Sequence, residues 1–300
     1  MAMNQPMPQP SEPLMKQDAV LEESRLRDVL RSLLRHRSAV IGGAIVLFFL
    51  LVALLADFIA PYDYAERSED LLQPPSAEHW FGTDEMGRDI FSRVLYGSRI
   101  SLRVGFFAIA GSIVIGSFLG LIAGFYGGWR DVLISRLFDI LLAFPSILLA
   151  IAIVAMLGPG LNNALLAIAI INIPTFGRLM RSQVLSVKQE DFVLAARAMG
   201  MTNRRILFRH ILPNSWTPIM VQGTLGFATA VIEAAALGFL GLGAQPPQPE
   251  WGTMLADARG FIQLAPWTMV FPGLAIMLTV LGFNLLGDGL RDVLDPRMKR

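Results

Sequence analysis

Residues 38–60 form an unbroken apolar run with a single charge, Asp57, near its end. Hydrocarbon offers no water to pair with backbone N–H and C=O groups, so a run this apolar has one stable form in lipid. That form is a helix, which satisfies every peptide group internally. At 1.5 Å per residue it extends about 34 Å, enough to cross a bilayer core. The charged N-terminal stretch ahead of it is long and includes acids, and the run is longer than the apolar part of a signal peptide, so an uncleaved helix is expected.

Five further runs read the same way, at 104–126, 132–157, 161–177, 218–242 and 267–290. Composition agrees: of 300 residues, 54% are hydrophobic and 16% charged, too apolar for an ordinary soluble domain. The expected fold class is an all-α membrane protein with six transmembrane helices and both termini on one side. Each run is read as one transmembrane helix.

Cationic flanks stay in the cytoplasm, so the distribution of Lys and Arg orients the spans. One face collects nineteen of the 25 cationic residues, from the N-terminal segment, the turn at 129–136, the segment 178–209 and the C-terminal tail. The other holds Arg67, Arg88, Arg93, Arg99, Arg103 and Arg259, most of them among acids. Both termini are predicted to be cytoplasmic. The net charge of +1 conceals this asymmetry and gives no reason to expect nucleic acid.

The predicted organisation is a cytoplasmic tail at 1–37, the first span at 38–60 and a periplasmic segment at 61–101. A five-helix core follows at 102–290, with a large cytoplasmic loop at about 182–217, and then a cytoplasmic tail at 291–300. In the first tail, 1–13 has no apolar period and reads as disordered. Leu26, Val29, Leu30, Leu33 and Leu34 recur at helical spacing opposite Arg25, Arg27, Arg31 and Arg35. That pattern predicts a cationic helix lying on membrane lipid, the alternative being a helical extension of the first span.

In the external segment, Gly82 and Gly87 suit turns, and Thr83 or Asp84 is placed to cap a short helix. The Pro-rich stretch 245–252 is expected to be extended and stiff. Between the fourth and fifth spans, residues 191–199 form a good helix. Gly200 is placed as its C-terminal cap, Thr202 or Asn203 as the cap of a second helix, and Pro213 as its stop. The result is a helix-Gly-helix projection with Arg204, Arg205 and Arg209 on one arm, shaped for a partner to grip.

Ala195-Ala196, three residues, Gly200, nine residues and then His210-Ile211-Leu212-Pro213 resembles the EAA loop of ABC-importer permeases. Leu194 stands where that motif has Glu, and His210 where it has Ile, with Glu190 and Asp191 one turn earlier. The resemblance covers nearly the whole chain from about Ser24. Gly82-Thr83-Asp84 with Gly87-Arg88-Asp89 is similar to the external signature of the peptide/nickel branch. The stretches 239–252 and 287–297 are most similar to the C-type subunit of dipeptide permeases.

The resemblance implies a type I importer permease (MetI-like) fold in the bacterial inner membrane and a cargo of dipeptides or short peptides, with nickel or another small peptide-like solute as the alternative. It implies coupling through Asp191, Ala195, Ala196, Arg197, Gly200, Arg204, Arg205, Leu212 and Pro213. The partners implied are a second homologous permease forming a heterodimer, two ATPase subunits and an extracytoplasmic substrate-binding protein.

The residues themselves limit the chemistry. A phosphate-cradling Walker A loop needs Gly-Lys followed by Ser or Thr, and neither Lys16, Lys188 nor Lys299 follows a Gly. ATP and Mg are therefore expected on the partner ATPases, with no cofactor in this chain. The absence of Cys and the scatter of His36, His79 and His210 leave no conventional metal site. No convergent catalytic set marks an enzyme. A proton-coupled transporter or channel, the main rival, needs several ionisable groups within the membrane. Only two stand out: Asp139, expected to pair with Arg136, and Glu233 in the fifth span. Glu233 has two readings, a lining group of the translocation path or, the favoured one, a structural hydrogen-bonding group near Asn284.

Overall fold

The computed structural model describes residues 31–294. The expected lipid-surface helix at 26–34 and the disordered start at 1–13 lie largely or wholly outside them. Among the described residues the regular structure is helical, apart from one isolated bridge between Thr83 and Asp89.

Five helices are long and apolar enough to cross a membrane. They are α1 (Arg37–Ile59), α2 (Ile90–Tyr126), α5 (Leu161–Val187), α9 (Thr217–Phe239) and α11 (Trp267–Leu294). The remaining expected span, 132–157, is not straight. It divides into α3 (Gly128–Leu142) and α4 (Ser146–Leu157), bent by 91°. Pro145 explains the break: it has no N–H to donate and pushes Phe144 out of helical geometry. Counting the bent pair as one span gives six.

Boundaries differ where hydropathy and helix propensity part. α2 begins at Ile90, so the last turns of the segment expected outside, 61–101, already belong to a 37-residue helix. α5 continues to Val187, ten residues past its apolar run, because Arg178, Leu179, Met180, Arg181, Gln183 and Leu185 are good helix formers even though the segment mixes polar and apolar residues. Residues 245–250 of the Pro-rich stretch are not helical, and an eight-residue helix, α10 (Trp251–Ala258), begins within its last two residues.

α2 and α5 make the most extensive contact in the fold. Gly116 brings them together: a Cβ there would stand 2.5 Å from the carbonyl oxygen of Ile173, so only Gly permits the approach. Gly120 faces Gly177 and Gly124 faces Val184 in the same order, so the two helices run parallel. α9 runs antiparallel to both, and α11 packs antiparallel on α1. All of α3 is exposed or half-buried except Phe138, whose ring fills the notch at Gly177. Residues 61–89 form a cap at one end of the bundle, and a hairpin formed by residues 188–216 lies at the other.

Candidate functional site

The hairpin starts with α6 (Asp191–Ala198). Gly200 adopts φ +77°, with its N–H bonded to the Arg197 carbonyl at 2.9 Å and the Met201 N–H bonded to the Ala196 carbonyl at 3.1 Å. This pair of bonds is the Schellman closure that ends a helix through a left-handed residue. Nothing lies within 4 Å of a Cβ built on Gly200, so backbone conformation, rather than space, demands Gly here.

The second arm runs through α7 (Asn203–Ile206), a wider turn at Leu207–Ile211 and α8 (Leu212–Ser215). Thr202 occupies the cap position without a side-chain bond. Pro213 does not stop this arm. The Leu212 N–H reaches back five residues to the Leu207 carbonyl, and this widening admits Pro213 in the first turn of α8. Asn214 Nδ2 donates to the His210 carbonyl at 2.6 Å, and after Trp216 the chain enters α9.

Val193, Ala196, Ile206, Leu207 and Ile211 are buried and hold the two arms to the bundle. The outward side is mixed. Leu194 at 50% exposure, Met199 at 70% and Phe208 at 50% stand beside the exposed Asp191, Ala195, Arg197, Arg204 and Arg205. Large apolar side chains exposed among cations are the composition that protein-binding surfaces favour. Leu194, in the position where the motif has Glu, adds apolar contact to that surface instead of charge.

At the cap, Gly82 and Gly87 adopt φ +77° and +72°. Asp84 does not cap a helix. Its Oδ1 accepts from the backbone N–H of Met86 and of Arg88, both at 2.9 Å, and its Oδ2 from Arg88 Nε at 2.6 Å. The Thr83 hydroxyl instead donates to the Asp70 carbonyl. Asp89 is the helix cap, accepting from the Ser92 N–H at 2.7 Å and starting α2, while His79 Nδ1 lies 2.9 Å from its other oxygen. Glu85 is pushed up by burial and by the charge of Asp84, and Asp257 by burial.

Glu233 is 9% exposed, and its Oε2 accepts from Asn172 Nδ2 on α5 at 2.9 Å. The expected neighbour Asn284 lies on α11 and makes no hydrogen bond with Glu233. Asp139 is 3.5 Å from Arg136 as expected, but its closer partner is Arg178, at 2.7 Å. The sequence reading also missed Lys188 as a contact of the hairpin and Glu250 as a cap. Glu250 Oε1 and Oε2 accept from the Gly252 and Thr253 N–H groups, both at 2.9 Å, and start α10. Glu is not among the preferred capping residues, so only its position ahead of Trp-Gly-Thr could have signalled it.

Five bundle-forming helices, a bent sixth and a Gly-closed hairpin define a multi-pass helical membrane protein. The chain belongs to the family of binding-protein-dependent transport system inner membrane components, whose model matches residues 116–300. Residues 24–75 match the N-terminal TM domain of oligopeptide transport permease C. It is a multi-pass, non-catalytic inner-membrane subunit of an ABC importer, and that membership implies ATPase and substrate-binding partners.

Among relatives, it is 60% identical to the dipeptide transport system permease protein DppC of Alkalihalophilus pseudofirmus, over 97% of this chain and 96% of that one. It is 51% identical to the glutathione transport system permease protein GsiD of Escherichia coli O157:H7, over 96% and 95%. Its fold resembles the MetNI methionine ABC transporter in inward-facing conformations, with TM-score 0.58 and 20% identity over 69% of this chain and 98% of that one.

Proposed function

We propose that this chain is the C-type permease of an ATP-driven importer for dipeptides or short peptides, with both termini in the cytoplasm. It forms half of a translocation path with a second, homologous permease, and membrane lipid surrounds the pair. Two ATPase subunits hold ATP and Mg, and an extracytoplasmic binding protein delivers the cargo at the cap. The hairpin carries this reading: it presents Leu194, Met199 and Phe208 among arginines as a rigid Gly-closed projection.

Closure of the ATPases moves the hairpin, and the packed bundle switches between two arrangements instead of deforming smoothly. Asp191, Ala195, Ala196, Arg197, Gly200, Arg204, Arg205, Leu212 and Pro213 form or shape the surface that receives this motion. Gly82, Thr83, Asp84, Gly87, Arg88 and Asp89 hold the cap against which the binding protein docks. The 60% identity to a dipeptide permease supports the cargo class. The 51% identity to a glutathione permease favours a tripeptide as the second reading.

Reconstitution tests the proposal. The chain alone in liposomes should take up no dipeptide; uptake should require the second permease, both ATPases, loaded binding protein and ATP. Uptake by the chain alone would overturn it. Competition of labelled dipeptide uptake by glutathione separates the two cargo readings.

A further inference from the structure

Thr175, Arg178, Ser182 and Ser186 follow one another on α5 at three- or four-residue spacing, so they share one face. All four are exposed. Arg178 is paired with Asp139 at 2.7 Å, and the exposed hydroxyls on the same face favour water or protein over lipid as its neighbour. α9 runs antiparallel to α5 and adds the exposed Thr229 at the depth of Thr175. One turn nearer the cap, at the head of this polar lane, stands the Asn172–Glu233 pair.

The pair has two properties that a simple brace does not need. Asn172 Nδ2 donates both to the Ile168 carbonyl and to Glu233 Oε2, each at 2.9 Å, which fixes the carboxylate by one oxygen only. The acid also has no counter-ion. Asp57 pairs with Arg99, Asp131 with Arg181 and Asp139 with Arg178, whereas no Lys, Arg or His pairs with Glu233 among the described residues. A glutamine would serve the same helix-to-helix bond without bringing a charge into the membrane. An uncompensated carboxylate at the head of a polar face is suited to a cation that arrives and leaves.

We propose that Glu233, positioned by Asn172, receives the free ammonium group of a peptide as it passes from the cap end into the translocation path. The inference rests on the proposed peptide cargo, whose amino terminus supplies that cation. The hydroxyls of Thr229 and Thr175 then carry the polar path inward.

The test uses the complete complex in proteoliposomes, with labelled L-alanyl-L-alanine as probe and Glu233→Gln, Glu233→Asp and Asn172→Ala as variants. Glu233→Gln should lower uptake about tenfold while ATP hydrolysis falls less than about twofold, and Glu233→Asp should keep roughly a third or more of wild-type uptake. A brace predicts a different pattern, in which Glu233→Gln transports normally and Asn172→Ala lowers the yield of assembled complex. A loss in Glu233→Gln smaller than about fivefold, or one matched by equal losses of ATP hydrolysis or assembly, overturns the proposal. If the wild-type complex takes up no alanyl-alanine, the peptide reading fails and takes this inference with it. If only Glu233→Gln behaves as wild type, the peptide reading stands and this inference alone falls.

Discussion

Lys188 Nζ donates to the backbone carbonyl of Phe125 at 2.7 Å, which ties the base of the hairpin to the last turn of α2. Arg197 adds a second cation 6.0 Å from the Phe125 ring. The other end of α2 is fixed by Asp89, so one 37-residue helix, about 55 Å long, connects the cap to the hairpin. Burial, and then the neighbouring charge of Arg197, hold the Lys188 amine below the usual lysine range.

Replacing Lys188 by Met keeps the apolar stem and removes the donor. A charge-assisted bond is worth about 1.5–3 kcal/mol, so the link should weaken by about tenfold or more. Peptide moved per ATP hydrolysed should fall while the complex still assembles, and Lys188→Arg should restore much of it. An unchanged ratio in Lys188→Met would show that motion reaches α2 by another route.

Gly200 tests the hairpin itself. With open space around it, substitution costs only backbone strain, about 1–2 kcal/mol for a residue forced into the left-handed region. Gly200→Val should therefore insert and fold in the membrane yet hold the ATPases poorly and transport little. Gly200→Asn, which tolerates this conformation, should behave close to wild type. Co-purification of the ATPases with each variant is the measurement, and equal recovery from Val and Asn variants would sink the argument.

The orientation is open to direct labelling, because the native chain has no Cys. Ser76 in the cap and Ser186 near the hairpin are both exposed. Single Cys at the two positions should react with an impermeant maleimide from opposite sides of the membrane, Ser76→Cys from outside. Reaction of both from one side would refute the predicted topology.

Glu250 sets a pH dependence. Burial raises it to about 7, with the Gly252, Thr253 and Ser101 donors opposing. An unfolded glutamate releases its proton near its ordinary value, so the folded chain holds the extra proton between that value and about 7. Stability should therefore fall as pH rises through that window and level off above it. The Tm of the detergent-solubilised complex, measured from pH 5 to 8, should show this slope, and Glu250→Gln should flatten it. An equal slope in both would assign it elsewhere.

Local chemistry made much of the molecule legible. Helical spans follow from apolar length alone, since lipid permits no other backbone solution for a run such as 38–60. Gly200 was readable because a Schellman closure involves only its neighbours in sequence. Pro145 carried a local signal too, yet hydropathy counts apolar residues and is blind to direction, so the 91° bend within 132–157 does not show in it. Pro213 misled in the opposite sense, because the wider turn at Leu207–Ile211 just before it makes room for it.

What the sequence by itself determined is therefore the kind of element at each place: apolar helices, their number, and a capped hairpin between the last two pairs. Which residues meet across those elements was decided by tertiary structure alone. Asn172 and Glu233 are 61 residues apart, and Lys188 and Phe125 are 63 apart. Their pairing depends on α2 and α5 lying parallel at glycine distance, with α9 antiparallel beside them. No periodicity encodes that arrangement, because helix packing is a property of two surfaces in contact and each helix displays only one of them.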